Sequence, residues 1–109
     1  MNSHELKEWM ATHEIVNRTV SGFWNYLYTQ KNEDPADFET SYPSMEITLL
    51  EPTLSTVSHT LNFNYGDTLE MVTCSLHIEY QGKKIGMYES LYTPFGEDLD
   101  DFLTLSQPN

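Results

Sequence analysis

A chain of 109 residues with 17 Asp and Glu against 5 Lys and Arg carries a formal charge of -12, yet 39% of it is apolar, including seven Tyr, five Phe and two Trp. That length bounds it to one domain, residues 1–109, with a single core that buries roughly two-thirds of the unfolded surface. The aromatic content excludes a disordered acidic tail, the scarcity of basic residues excludes direct nucleic-acid or anionic-membrane contact, and a lone cysteine, Cys74, excludes an internal disulfide framework.

At the N-terminus no basic region leads into an apolar run, and no segment reaches the ~20 apolar residues that span a bilayer. The expected setting is therefore the cytoplasm. Residues 3–30 carry a helical period, with Leu6, Trp9, His13, Val16, Val20, Phe23 and Leu27 on one stripe. Asn2 or Ser3 can cap it, with Glu5 placed to answer Asn2 in a capping box. Gly22 costs such a helix ~1 kcal/mol relative to Ala, so its stability must come from packing. Ile15, Gly22 and Tyr26 fall opposite the stripe and offer a helix contact for a homodimer. Residues 31–43 hold Pro35 and Pro43 and read as an acidic loop.

From residue 44 to 105 the period is two, as an antiparallel sheet requires. Met45, Ile47 and Leu49 alternate up to a break at Glu51 and Pro52. Val57, His59, Leu61, Phe63 and Tyr65 alternate up to a turn at Gly66 and Asp67, and Val72, Cys74, Leu76, Ile78 and Tyr80 up to a second at Gln81 and Gly82. Residues 83–93 form the next strand, Pro94 to Glu97 turn again, and 99–105 read as a strand in preference to a short helix. If Tyr65 faces Thr68, Val57 meets Leu76, His59 meets Cys74 and Leu61 meets Val72. Across the second turn Ile78 meets Ile85, Leu76 meets Met87 and Val72 meets Leu91. The expected fold is α+β, a long N-terminal helix on a four- or five-stranded antiparallel meander. This outline is similar to cystatin-like and NTF2-like domains in architecture, not in motifs, so the analogy carries no function.

The same pairing sets His59, Cys74 and Glu89 in one row, since neighbouring strands lie ~4.8 Å apart. Such a row could activate a cysteine nucleophile or hold zinc. The competing reading is a buried cysteine packing as a small hydrophobe beside a hydrogen-bonded His and Glu. No further His, Cys or Asn completes a known spacing, and His4, His13 and His77 have none of their own. Gly-rich phosphate loops and Gly-x-Ser-x-Gly, His-Glu-x-x-His and Cys-x-x-Cys motifs are missing, so no cofactor or metal is implied.

The opposite sheet face is expected to present Thr56, Ser58, Thr60, Asn62, Thr73, Ser75 and His77, with Tyr88, Ser90 and Tyr92 beside them. Exposed tyrosines there would anchor a protein partner. The acids themselves are clustered, as Glu33, Asp34, Asp37 and Glu39, and as Glu97, Asp98, Asp100 and Asp101. The second cluster lacks the glycine and ligand ladder of an EF-hand. Holding like charges in a compact domain costs stability, whereas electrostatic steering accelerates association with an oppositely charged partner by about 10- to 1000-fold. The expectation is an acidic binding module that neutralises or escorts a basic protein: an immunity protein, a phage-type inhibitor or DNA mimic, or a secretion chaperone. The eight clustered acids, with Tyr88 and Tyr92, would form its contact surface. The alternative is a ligand-binding domain or enzyme with a helix–sheet pocket built on His59, Cys74 and Glu89.

Overall fold

The computed structural model describes residues 1–64 and 66–106. Three helices, α1 (Ser3–Thr12), α2 (Ile15–Glu33) and α3 (Pro35–Ser41), are followed by a 3-10 turn (Ile47–Leu49) and four strands: β1 (Leu50–Asn62), β2 (Leu69–Tyr80), β3 (Lys83–Tyr92) and β4 (Asp98–Leu105). The strands form one antiparallel sheet in chain order, with helices packed on one face. The architecture is α+β, as expected, and residues 98–105 are indeed a strand. Among the described residues no helix is long and apolar enough to cross a membrane.

The expected continuous helix is two. Asn2 and Glu5 do form the capping box, with the Asn2 side chain accepting from the Glu5 amide at 2.8 Å. The chain then breaks at His13 and Glu14, where Glu14 takes a left-handed conformation at φ 51°. Neither Gly nor Pro marks the site; tertiary contacts hold it. The Trp9 indole donates to the Pro94 carbonyl at 2.6 Å, and the His13 ring packs against Gly96 in the turn between β3 and β4. Beyond the break the helical phase is reset, so Ile15, Thr19, Phe23 and Leu27, spaced by four, become the buried row. This corrects the free helix back expected for a dimer. Ile15 is fully buried, Gly22 lies against the Tyr88 hydroxyl, and Tyr26 packs on the core.

Residues 31–43 are also more ordered than an acidic loop. α2 runs to Glu33, Asp34 caps α3 by accepting from the Asp37 amide at 3.0 Å, and Pro35 opens α3. Proline at a first helical position has no needed N–H to lose and starts a helix as readily as it ends one. The expected strand at 45–49 is replaced by the 3-10 turn, and β1 runs through Pro52. An edge strand tolerates proline because its outward N–H has no partner.

The faces of β1 and β2 match the expectation, but their register does not. Val57 faces Cys74 and His59 faces Val72, a slip of two residues, with Ser55 bulged out between Leu54 and Thr56. A two-residue slip leaves every side chain on its own face. The expected pairing of Tyr65 with Thr68 lies outside the described residues. In β2–β3 the expected register holds for Tyr80 with Lys83 and Glu79 with Lys84, then shifts by one at Ile78. One residue reverses faces. Leu76 therefore meets Tyr88, Cys74 meets Ser90 and Val72 meets Tyr92, so Tyr88, Ser90 and Tyr92 point at the helices. Both tyrosines are 1% exposed, which corrects their expected place on the open face.

The main core joins Phe23, Leu27 and Phe38 to Ile47, Leu50, Leu76, Ile78, Ile85 and Tyr88, and a smaller one joins Ile15, Cys74 and Tyr92 under Trp9, Met10 and Val57. Each fully buried Leu, Ile or Phe contributes about 1.5–3 kcal/mol. Gly96 ties the smaller core to the helix break: its φ is 82°, and a Cβ there would collide with the His13 ring. Gly96→Ala is expected to cost about 1–3 kcal/mol through strain and overpacking. Urea unfolding of the variant checks this; a midpoint equal to that of the parent would contradict the anchoring of the break on this turn.

Candidate functional site

α2 does not cover the sheet completely, and along its flank toward β4 a cleft of about 790 Å³ opens. From α2 it is lined by Asn17, Ser21, Asn25 and Thr29, a polar row at four-residue spacing, together with Arg18, Gly22, Tyr26 and Glu33. β3 supplies Tyr88 and Ser90, and β4 supplies Asp98, Asp100 and Asp101. The position of β4 explains the acids: Leu103 faces Tyr88 on the core side, and two residues earlier Asp101 faces Ser90 and takes the same side.

Tyr88 bridges the core and this cleft. Its ring packs edge-on against Phe23 and Tyr26, while its hydroxyl donates to Asp101 Oδ2 at 2.6 Å. Gly22 makes the approach feasible, because a Cβ there would sit 2.7 Å from that hydroxyl. Burial, reinforced by the Asp101 carboxylate, pushes the phenol far above its ordinary pKa of 10, so Tyr88 stays a neutral donor. Deeper in, Thr19 Oγ1 donates to the Ile15 carbonyl at 2.7 Å, which leaves Tyr92 to donate to Thr19 at 2.7 Å.

Arg18 is the basic residue of the cleft, and its charge is already engaged. One nitrogen donates to Asp98 Oδ1 at 3.1 Å, another to the His13 carbonyl at 3.2 Å, and the guanidinium lies 4.9 Å over the Tyr92 ring. Five acidic residues line the cleft beside it, Glu14, Glu33, Asp98, Asp100 and Asp101, of which Asp98 and Asp101 face the core side, whereas Asp100 faces Leu91 on the other side and its carboxylate accepts from the Asp101 amide at 2.8 Å. Concave walls of low dielectric focus such a field outward. The arrangement suits a cationic group.

Glu33 and three of the four acids of the second cluster thus meet in one cleft, although 64 or more residues separate them in sequence. The others are elsewhere. Asp34 caps α3, and the Glu39 carboxylate accepts from the Ser44 amide at 3.1 Å. Asp37 is exposed on α3, and Glu97 is exposed in the β3–β4 turn, its carbonyl accepting from the Thr93 amide at 2.8 Å. The row of His59, Cys74 and Glu89 is not formed. His59 faces Val72 and bonds Glu70 at 2.7 Å and the Met1 amino group at 2.9 Å. Cys74 is fully buried between Val57 and Ser90, and burial pushes its thiol up, away from the nucleophilic form. Glu89 turns to the other face, between Ser75 and Phe102. Among the described residues no group of three or more His, Cys, Asp or Glu is arranged to hold a metal ion.

The lining missed from sequence is the row of Asn17, Ser21, Asn25 and Thr29. Each of these residues stands two positions on from the buried row of Ile15, Thr19, Phe23 and Leu27, about 160° around the helix, so the row reads in sequence as the ordinary solvated back of α2 and no local signal marks it. No family model matches the chain, and neither a curated relative nor a similar solved structure was found for it.

The raised pKa of Tyr88 has a fixed sign in stability. Below pH 10 the phenol is neutral in both states and its burial is fully favourable; above it the unfolded chain ionises first, and stability falls by about 1.4 kcal/mol per pH unit for that group. Tyr88→Phe should therefore show a shallower loss of thermal stability above pH 10 than the parent. Parallel profiles for the two proteins would contradict the neutral, buried assignment.

Proposed function

We propose that this chain is a small acidic binding module that neutralises or escorts a basic protein partner, and that the α2–β4 cleft receives a lysine or arginine side chain of that partner. The observation that carries the reading is the cleft's charge: five acidic residues line it against one arginine that is already paired. An incoming guanidinium or ammonium gains charge-assisted hydrogen bonds there. Glu97 and Asp37 add to the field that steers the partner, and steering of this kind weakens as salt shortens the screening length to ~8 Å at physiological ionic strength. An immunity protein, a phage-type inhibitor and a secretion chaperone would each use the surface in this way. Tyr88 contributes from below, by holding Asp101 in place.

Immobilised protein should retain a basic partner from the native cytoplasm at low salt and release it at high salt. Glu33→Lys combined with Asp100→Lys changes two exposed lining residues and should weaken that interaction by about ten-fold or more. Retention of no basic protein at low salt, or equal retention by the double variant, would defeat the proposal.

A second reading follows from the depth of the cleft. Its volume of about 790 Å³ lies in the range of small-ligand sites, so a small organic cation could occupy it alone. Titrating spermidine against the protein separates the two. Saturable amide shifts at Ser21 and Asn25, lost in the double variant, would favour the small ligand, and their absence would remove it.

A further inference from the structure

β4 is an edge of the sheet, and among the described residues no strand pairs with its outer side. Its register with β3 is unbroken from Asp100 to Leu105, and just beyond it the Ser106 amide donates to the Ile85 carbonyl at 2.8 Å. Backbone groups of successive residues in an antiparallel strand point to opposite edges, so those of Asp101, Leu103 and Leu105 point outward. The Asp101 amide accordingly donates to the Asp100 carboxylate at 2.8 Å instead of to β3. The cleft lies along this edge. Asp98 and Asp101 line it from the core side of β4 and Asp100 from the other side, so it reaches around the outer rim of the strand.

We infer that β4 is a docking edge, and that the basic partner enters as an extended segment that pairs with Asp101–Leu105 as a fifth strand. The inference rests on the cation-binding reading of the cleft and gives the form of the partner. Charge selects the occupant. Acids on an edge strand deter pairing with a like chain, and a second copy would bring its own -12; the same acids attract a segment rich in lysine or arginine. Pairing sets its conformation. Side chains of an added strand alternate between faces, so every second residue would project into the cleft toward Asp101 and Glu33, and those between would lie beside Phe102 and Thr104. Main-chain bonds to Leu103 and Leu105 supply affinity in this mode, and the pockets for alternate side chains supply specificity. An incoming carbonyl takes over the Asp101 amide and frees the Asp100 carboxylate for a cation.

Three capped octapeptides of alternating Lys and Thr test this with the intact protein at low salt: one unmodified, one N-methylated at its Lys amides and one at its Thr amides. All three carry the same charge. In a strand the two sets of amides face opposite edges, so pairing with β4 uses one set only. The unmodified peptide is expected to bind, one methylated peptide to lose about ten-fold or more in affinity, and the other to bind like the parent. The amides of Leu103 and Leu105 should gain protection from hydrogen exchange on saturation. Equal loss in both methylated peptides, or saturation without that protection, overturns the inference. Equal affinity of all three, abolished by Glu33→Lys combined with Asp100→Lys, overturns the strand and leaves the cleft standing as a cation site. No binding by any of the three also overturns the strand, and the partner capture described above then judges the cleft separately.

Discussion

The one-residue shift between β2 and β3 at Ile78 and Glu79 fixes the rest of the molecule. On one side of it the turn at Gln81 and Gly82 sets Tyr80 opposite Lys83, both turn residues taking positive φ. On the other side β3 has reversed its faces, and Tyr88, Ser90 and Tyr92 lie under the helices. Without the shift Met87, Glu89 and Leu91 would point inward and a carboxylate would enter the core, at a cost no partner is placed to offset. With it, two phenols fill the space, and each brings a hydroxyl that needs a partner. Tyr92 finds Thr19, and Tyr88 finds Asp101. The first bond fixes how α2 sits on the sheet. The second ties β3 to the acidic strand and gives the cleft its wall. Gly22 belongs to the same constraint, since a larger residue would push α2 off the Tyr88 hydroxyl.

The charge of the chain is therefore not one feature but several. Asp34 and Glu39 satisfy backbone amides at the start and end of α3, and in those places an acid acts as a local acceptor whatever its charge does at long range. Asp98 pairs with Arg18, and Asp101 accepts from Tyr88. The Tyr88 bond leaves the charge of Asp101 in the cleft, whereas the Arg18 guanidinium offsets that of Asp98. The local bonds and the outward field are compatible because the phenol is neutral and brings no compensating charge.

Face patterning was legible in the sequence, and register was not. Alternation placed Val72, Cys74, Leu76 and Ile78 on the buried side, where all four are fully buried. It did not reveal the bulge, although this breaks the alternation inside β3, where Ile85 and Tyr88, three residues apart, both lie in the core; Ile85, Met87 and Leu91 alternate in sequence as well as Tyr88 and Tyr92 do. That is why β3 was read inside out, and why His59, Cys74 and Glu89 seemed to share a row. The helix break at Glu14 was hidden for a related reason: nothing local demands it, and the contacts of Trp9 and His13 with the β3–β4 turn impose it from 80 or more residues away. The acidic clusters were visible, but their convergence was not. Glu33 and Asp101 come together only because β4 returns beside α2, and that depends on strand order rather than on composition.

The two edges of the sheet differ in charge. Asp98 and Asp101 of β4 face the cleft side, whereas β1, at the far side of the sheet, has no Asp, Glu, Lys or Arg from Pro52 onward. On the proposed reading salt weakens the cleft's attraction for a basic partner, whereas the short bonds made by Asp34, Glu39 and Asp101 inside the fold are screened much less.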